Sequence, residues 1–257
     1  MLRTINAVDV EVDRGVASVV INRPERRNAL TQEARRRLTE IMLGLAGDDE
    51  TQAVVLSSRE GAFSAGQDLG EAKDFPVSYI PEWIDEHMRL YEALLSYPKP
   101  LIAAIDGCCV GAGLQVALMC DLRLATPGSF FAMPELDDAI PCVLGVWALW
   151  DVIGRGRTTE MVLTNRQVPA TEALTWGLVN RVIEAPALAG AADELARSMA
   201  SKSELALRLT KERLHLLTLA GTDSLRVHAQ LAHAIAFSSG EPALAMEEFL
   251  SNGRGVS

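Results

Sequence analysis

The 257-residue sequence predicts an α/β fold with largely parallel strands, followed by an all-helical carboxy-terminal part. Three features carry that expectation. Short apolar runs are each followed by a small-residue loop and a helix-length amphipathic segment, and this unit recurs along the chain. Parallel neighbours need such crossover connections, which are usually helical. The last strand-like run ends near residue 184. Beyond it the apolar spacing is purely helical, so residues 1–186 are expected to form the α/β core and 187–257 a helical subdomain, packed on that core or on a neighbouring subunit.

The elements follow in order. Alternating Val8, Val10 and Val12, a turn at Gly15 and the run 16–21 read as a β-hairpin ended by Asn22-Arg23-Pro24. Thr31 is placed to cap a helix that carries Leu38, Ile41, Met42 and Leu45 on one face and stops at Gly47. The run 53–56 is an apolar strand, 61–70 a glycine-punctuated loop, and 79–96 a helix halted before Pro98-Lys99-Pro100. The unit repeats as strand 101–105, loop 106–113, a helix through Leu118 and strand 122–125, and less cleanly toward a strand over 178–183. Trp147 and Trp150, with Leu144 and Leu149, form an apolar helical stripe expected in the core.

Composition excludes several classes. The chain is 49% hydrophobic and carries a net charge of −10, which speaks against both an unfolded segment and a nucleic-acid partner, since phosphate backbones are held by clustered Lys and Arg. The longest uncharged stretches, 107–120 and 227–240, have 14 residues each, short of the roughly 18–20 needed to cross a bilayer. Residues 1–6 show no signal-peptide core, so a cytoplasmic location is expected. Cys108, Cys109, Cys120 and Cys142 lack CxxC spacing and are expected as buried thiols. The four histidines form no HExxH, and no metal site is expected.

Two loops share one construction, a buried strand followed by small residues and a helix start: Gly61-Ala62-Phe63-Ser64-Ala65-Gly66-Gln67-Asp68-Leu69 and Asp106-Gly107-Cys108-Cys109-Val110-Gly111-Ala112-Gly113-Leu114. Small residues there let a ligand reach free backbone N–H groups, and two such groups converging on one carbonyl oxygen would make an oxyanion hole. Glycines also serve tight turns, so composition alone leaves both readings open. Neither loop is a dinucleotide or phosphate-binding fingerprint, and no GxSxG elbow surrounds Ser64.

Phe63-Ser64-Ala65-Gly66-Gln67-Asp68-Leu69, the passage from Pro98-Lys99-Pro100 through 103–113, and Ala117-Leu118-Met119-Cys120-Asp121-Leu122-Arg123-Leu124-Ala125 together resemble the crotonase (enoyl-CoA hydratase/isomerase) superfamily. Asn22-Arg23-Pro24, Asn28-Ala29-Leu30 and Ala173-Leu174-Thr175-Trp176-Gly177-Leu178-Val179 extend the match over nearly the whole chain. The resemblance implies a spiral of ββα repeats with helical carboxy-terminal trimer contacts, a homotrimer or homohexamer, and an acyl-CoA thioester substrate. It implies no cofactor beyond the coenzyme A of that substrate; the composition already speaks against a membrane or a nucleic-acid partner. The thioester oxygen would be held by the backbone N–H groups of Gln67 and Ala112. Coenzyme A contacts would come from around Ala65, Asp68 and Leu69.

The departures from the family pattern are as informative. Family hydratases use two glutamates; the first position falls on Gln115 and the second on Glu135. An amide cannot exchange a proton as a carboxylate does. Loss of one carboxylate should impair addition of water more than simple proton transfer, so isomerisation of an enoyl-CoA by Glu135 is favoured over hydration, with Gln115 orienting substrate or water. The following segment, Leu136-Asp137-Asp138-Ala139-Ile140-Pro141-Cys142, is a residue short and gains two carboxylates. These read as exposed turn acids, or as the base of another acyl-CoA reaction such as decarboxylation or hydrolysis. A basic residue often found shortly after Phe249 falls near Asn252, which leaves Arg26 and Arg27 as candidates for the phosphates. A non-catalytic acyl-CoA-binding protein is the remaining alternative.

Overall fold

The computed structural model describes residues 7–218 and 221–252; residues 1–6, on which the leader expectation rests, lie outside them. Among the described residues no helix is long and apolar enough to cross a membrane.

The hairpin forms as expected. Strand β1 (Val8–Asp13) pairs antiparallel with β2 (Val16–Ile21) across a turn in which Arg14 and Gly15 both have positive φ. Helix α1 (Gln32–Ala46) is capped by Thr31, whose hydroxyl accepts from the Ala34 N–H, and buries Leu38, Ile41 and Met42. Next come β3 (Ala53–Ser58), β4 (Ala62–Ser64), the short α2 (Leu69–Ala72) and the long α3 (Ile80–Leu95). The unit then repeats as β5 (Leu101–Ile105), β6 (Cys108–Val110) and α4 (Ala112–Leu118), and again as β7 (Leu122–Ala125), β8 (Phe130–Ala132) and α5 (Val143–Thr164), which kinks at Gly154. β9 (Val168–Pro169), α6 (Ala170–Trp176) and β10 (Arg181–Val182) complete the core. The helices α7 (Ala185–Ala200), α8 (Glu204–Thr218), α9 (Thr222–Ser239) and α10 (Glu241–Ser251) follow.

From β3 to β8 successive strands alternate between two sheets. The larger runs β1-β2-β3-β5-β7-β10, parallel from β2 onward; the smaller runs β4-β6-β8-β9, parallel except for its last pair. Each repeat therefore places one strand in each sheet before its helix, which is the ββα spiral. Two strands of the smaller sheet, β4 and β6, fall in segments expected as loop, and β8 and β9 in segments for which no strand is expected. They have three residues or fewer, too short for a period to register in sequence. The 178–183 strand likewise contracts to Arg181–Val182.

The carboxy-terminal helices serve different parts of the core. Leu188, Ala192 and Ala196 of α7 cover the large sheet against Val55, Ile102 and Ala104. Helices α9 and α10 return to α3, α5 and α2, placing His233 and Phe249 in the wall of the same cavity as the two glycine loops. Lys211 anchors α8, donating to Asp121 and to the Lys99 carbonyl at 2.6 Å each. All four cysteines are free and buried. Of the expected stripe on α5, Leu144 and Leu149 are buried and Trp147 is half-buried, but Trp150 is 43% exposed. That exposure corrects the expectation of a core residue at Trp150.

Candidate active site

The two glycine loops meet. The first leaves β4 held by Asn28, fully buried in a left-handed conformation (φ 56°), whose amide donates to the carbonyls of Arg59 and Ala62. Ser64 donates to the Asn28 carbonyl and accepts from the Gly66 N–H, so its hydroxyl closes the turn. Gly66 (φ 93°) lies against the second loop, where an added Cβ would sit 2.9 Å from the Val110 carbonyl oxygen and 3.4 Å from the Ala112 nitrogen. Only glycine permits that approach. Gly113 is as confined, since its Cβ would lie 2.5 Å from Cβ of Ser64.

This contact brings the Gln67 and Ala112 N–H groups into one cavity wall. The neighbours of Gln67 pair with Leu30, Gly66 by its carbonyl and Asp68 by its N–H, while the Gln67 N–H has no protein acceptor among the described residues. Ala112 is the first residue of α4, so its N–H has no intrahelical partner. The Gln67 side chain is held from behind by Arg35 Nη1 at 2.6 Å and Trp83 Nε1 at 3.2 Å, both to Oε1. Arg35 is fully buried and paired with Glu86, which also accepts from Arg36 and Gln32. Burial opposes the charge on Glu86, yet these donors hold its carboxyl below the ordinary value. A loop whose anchor is locked in this way keeps its N–H direction fixed.

Gln115 and Glu135 are 20 positions apart in sequence and in contact in space: Gln115 Nε2 donates to Glu135 Oε1 at 2.8 Å. Glu135 Oε2 is sealed from water and has no protein partner. Burial pushes the carboxyl above its ordinary value, against the donors from its own backbone, the Cys142 thiol and Gln115. The amide orientation is not arbitrary. Tyr91 donates to Gln115 Oε1 at 2.7 Å, which leaves the NH₂ for Glu135, and His87 Nδ1 lies 3.2 Å from the Tyr91 oxygen. A buried chain from His87 through Tyr91 and Gln115 thus presents one oxygen of Glu135 as acceptor and leaves the other unengaged. The sequence reading missed Tyr91, His87 and Trp83. Their spacing, 83, 87 and 91, was the available sign, since it puts three polar-tipped rings on one face of α3.

The surrounding cleft has a volume of about 1090 Å³. Ala65, Asp68, Leu69, Arg26 and Arg27 all line it. Arg26 is exposed and Arg27 half-buried. Asp68 has both carboxylate oxygens engaged, one by the Glu71 N–H as cap of α2 and the other by Arg23. Arg23, not singled out from sequence, lines the same mouth. The two added acids part company. Asp137 is exposed and accepts from Asn165. Asp138 is 8% exposed in the cavity wall, so the expectation of an exposed turn acid is corrected there. The chain turns back at Ala139 (φ 56°) and tucks Asp138 inward. Burial, with repulsion from Glu135 and Asp137, lifts its carboxyl to about 7.

Fixed N–H donors beside a buried carboxylate suit a reaction in which negative charge develops on a carbonyl oxygen while a proton moves nearby. The comparisons with known proteins point the same way. The family description "Enoyl-CoA hydratase/isomerase" matches residues 11–246. The chain is 32% identical over 213 residues to a short-chain-enoyl-CoA hydratase of Clostridium acetobutylicum, covering 82% of each chain. It is 32% identical over 209 residues to a 1,2-epoxyphenylacetyl-CoA isomerase of Escherichia coli, covering 79% of this chain and 80% of that one. Among solved structures, an enoyl-CoA hydratase from Mycobacterium avium subsp. paratuberculosis superposes with a TM-score of 0.86 at 28% identity, over 96% of both chains.

Proposed function

This chain belongs to the enoyl-CoA hydratase/isomerase family, as an acyl-CoA enzyme of that type, and from that premise we propose that it moves the double bond of an enoyl-CoA with Glu135 as the single proton carrier. The reading is carried by one observation: an amide, Gln115, occupies Glu135 Oε1 while Oε2 is unpartnered. In the proposed reaction the Glu135 carboxylate takes a proton from the carbon between the thioester and the double bond of a 3-enoyl-CoA. The electron pair moves through the thioester carbonyl, and the Gln67 and Ala112 N–H groups stabilise the oxygen by roughly 3–4 kcal/mol per donor. Protonated Glu135 returns the proton to the far alkene carbon, giving the 2-enoyl-CoA and regenerating the carboxylate. Hydration of a 2-enoyl-CoA is the slower activity, because a water held between an amide and one carboxylate has a single group to take its proton. Arg26 and Arg27 at the exposed mouth are the proposed phosphate contacts.

The test is to follow a 3-enoyl-CoA and its 2-enoyl isomer side by side, in wild type and in Gln115→Glu. We expect isomerisation to dominate in wild type. In the variant, a second carboxylate raises hydration relative to isomerisation by about tenfold or more, in line with the 10²–10⁴ that a positioned acid or base contributes. Hydration that dominates in wild type, or a ratio that Gln115→Glu leaves unmoved, overturns the single-carrier reading.

A second reading gives the proton-moving role to Asp138, as in a decarboxylase or hydrolase of the same family. Its burial in the cavity wall favours it over Asp137. Asp138→Asn separates the two. A carboxyl lifted from 3.8 to about 7 by folding binds its proton more tightly folded than unfolded, so its stabilising contribution is present at low pH and is lost as pH rises toward 7. Asp138→Asn is therefore expected to raise the melting temperature above wild type at pH 8 and to match it near pH 4. Under the first reading the variant retains isomerisation to within about tenfold, against the 10²–10⁴ loss expected of the proton carrier itself.

Self-association completes the proposal. Leu205, Leu209 and Leu216 on α8 and Val227, Leu231 and Ile235 on α9 are each at least 50% exposed, and stripes of this kind mark protein contacts. A homotrimer or homohexamer is expected by light scattering at micromolar concentration; a monomer contradicts it.

A further inference from the structure

The cavity wall carries two imidazoles, one of which, His87, has so far entered only through its Nδ1 contact with Tyr91. His87 on α3 and His233 on α9 both line the cavity and are 4% and 5% exposed. They flank Trp83, edge to face, at 5.5 and 5.6 Å between ring centroids.

The hydrogen-bond network assigns both tautomers. The Ala229 carbonyl can only accept, so His233 Nδ1, 2.7 Å away, carries the proton. Tyr91 spends its own proton on Gln115, so His87 Nδ1 must donate to the Tyr91 oxygen. Each neutral ring therefore presents Nε2 as a bare acceptor. Neither Nε2 has a partner among the described residues, and both residues belong to the cavity wall. Burial holds both rings below the ordinary histidine range, with Arg35 disfavouring charge on His87 further.

Resting on the reading of the site as an enoyl-CoA site, we propose that His87 and His233 select an acyl group bearing a hydroxyl beyond the reacting carbons, an alcohol or phenol that donates to an Nε2. A plain alkyl chain would strip water from two acceptors and return nothing, and sites built to hydrogen-bond a substrate hydroxyl reject the analogue lacking it far more strongly than apolar pockets reject an extra group. A carboxylated chain would require imidazolium, which burial and Arg35 oppose. Trp83 supplies the apolar wall between the two acceptors.

The test uses unreactive saturated thioesters, so that binding is read apart from turnover. Hexanoyl- and 6-hydroxyhexanoyl-CoA, octanoyl- and 8-hydroxyoctanoyl-CoA, 3-phenylpropanoyl- and 3-(4-hydroxyphenyl)propanoyl-CoA, and adipoyl-CoA are titrated calorimetrically into the full-length protein, wild type and His233→Phe. The hydroxylated member of at least one pair is expected to bind about tenfold tighter or more, a modest part of the discrimination such sites achieve. In His233→Phe, with folding checked by thermal melting, that ratio falls severalfold. Parity in every pair, tightest binding by adipoyl-CoA, or a preference indifferent to His233→Phe overturns the proposal. A hydroxyl preference without turnover of any enoyl-CoA would contradict only the reaction reading. Absence of binding by every thioester would overturn both.

Discussion

Under the single-carrier reading, replacing Glu135 with glutamine is expected to lower kcat for enoyl-CoA isomerisation by about 10³–10⁴-fold, the upper part of the range for a positioned general acid or base. KM is expected to change little, since under that reading the backbone N–H groups and the cleft wall, rather than the carboxyl, hold the thioester. The variant is also expected to be at least as stable as wild type at alkaline pH. Glu135 is held above its ordinary value by burial, so the folded state favours the protonated form. The stability this brings is present below the unfolded value and is lost as pH rises through the raised one. A neutral amide is free of that loss, so Glu135→Gln should melt higher than wild type at pH 8 and level with it near pH 4. A dead enzyme that melts no lower than wild type would separate chemistry from folding and mark Glu135 as a group kept for function at a cost in stability.

Gly66→Ala should be nearly as damaging for a different reason. A methyl group at φ 93° falls 2.9 Å from the Val110 carbonyl oxygen and 3.4 Å from the Ala112 nitrogen, so the loops must separate. The two N–H groups then no longer share one target. Losing one such donor typically costs about 10²–10³ in kcat, and left-handed strain adds about 1–3 kcal/mol of destabilisation. Gly128→Ala is the control: its Cβ would meet nothing within 4 Å and its φ is not positive, so activity should stay within about twofold, as for most surface substitutions. Equal effects at the two glycines would mean that the loop contact does not set the donor geometry.

Much of this is legible in the sequence alone. The hairpin, the Thr31 cap and the helix halted before Pro98 follow from local rules that tertiary structure did not override. The partnership of Gln115 with Glu135 was legible only through the family resemblance, since nothing local connects positions 20 apart; the structure gives the 2.8 Å contact and the direction of the donor. What stayed hidden depends on packing over long separations. The small sheet is built from strands of three residues or fewer, whose partners lie in other repeats. Asp138 reads as a turn acid because acids in turns are usually solvated; only the fold back at Ala139 puts it inside. Trp150 reads as part of the α5 stripe in sequence, yet it is 43% exposed while Leu144 and Leu149 are buried. His233 has no local sign in the sequence, because its place beside Trp83 depends on α9 returning to α3 across more than 130 residues of chain.

The central claim is that a thioester enolate forms here and that Glu135 moves its proton. The most direct test is α-proton exchange of bound acyl- and enoyl-CoA thioesters in D₂O, followed by NMR in wild type and Glu135→Gln. The account predicts deuterium at the carbon next to the thioester with wild type and none above background with the variant. Exchange that survives in Glu135→Gln, or its absence in wild type with every thioester that binds, would contradict it.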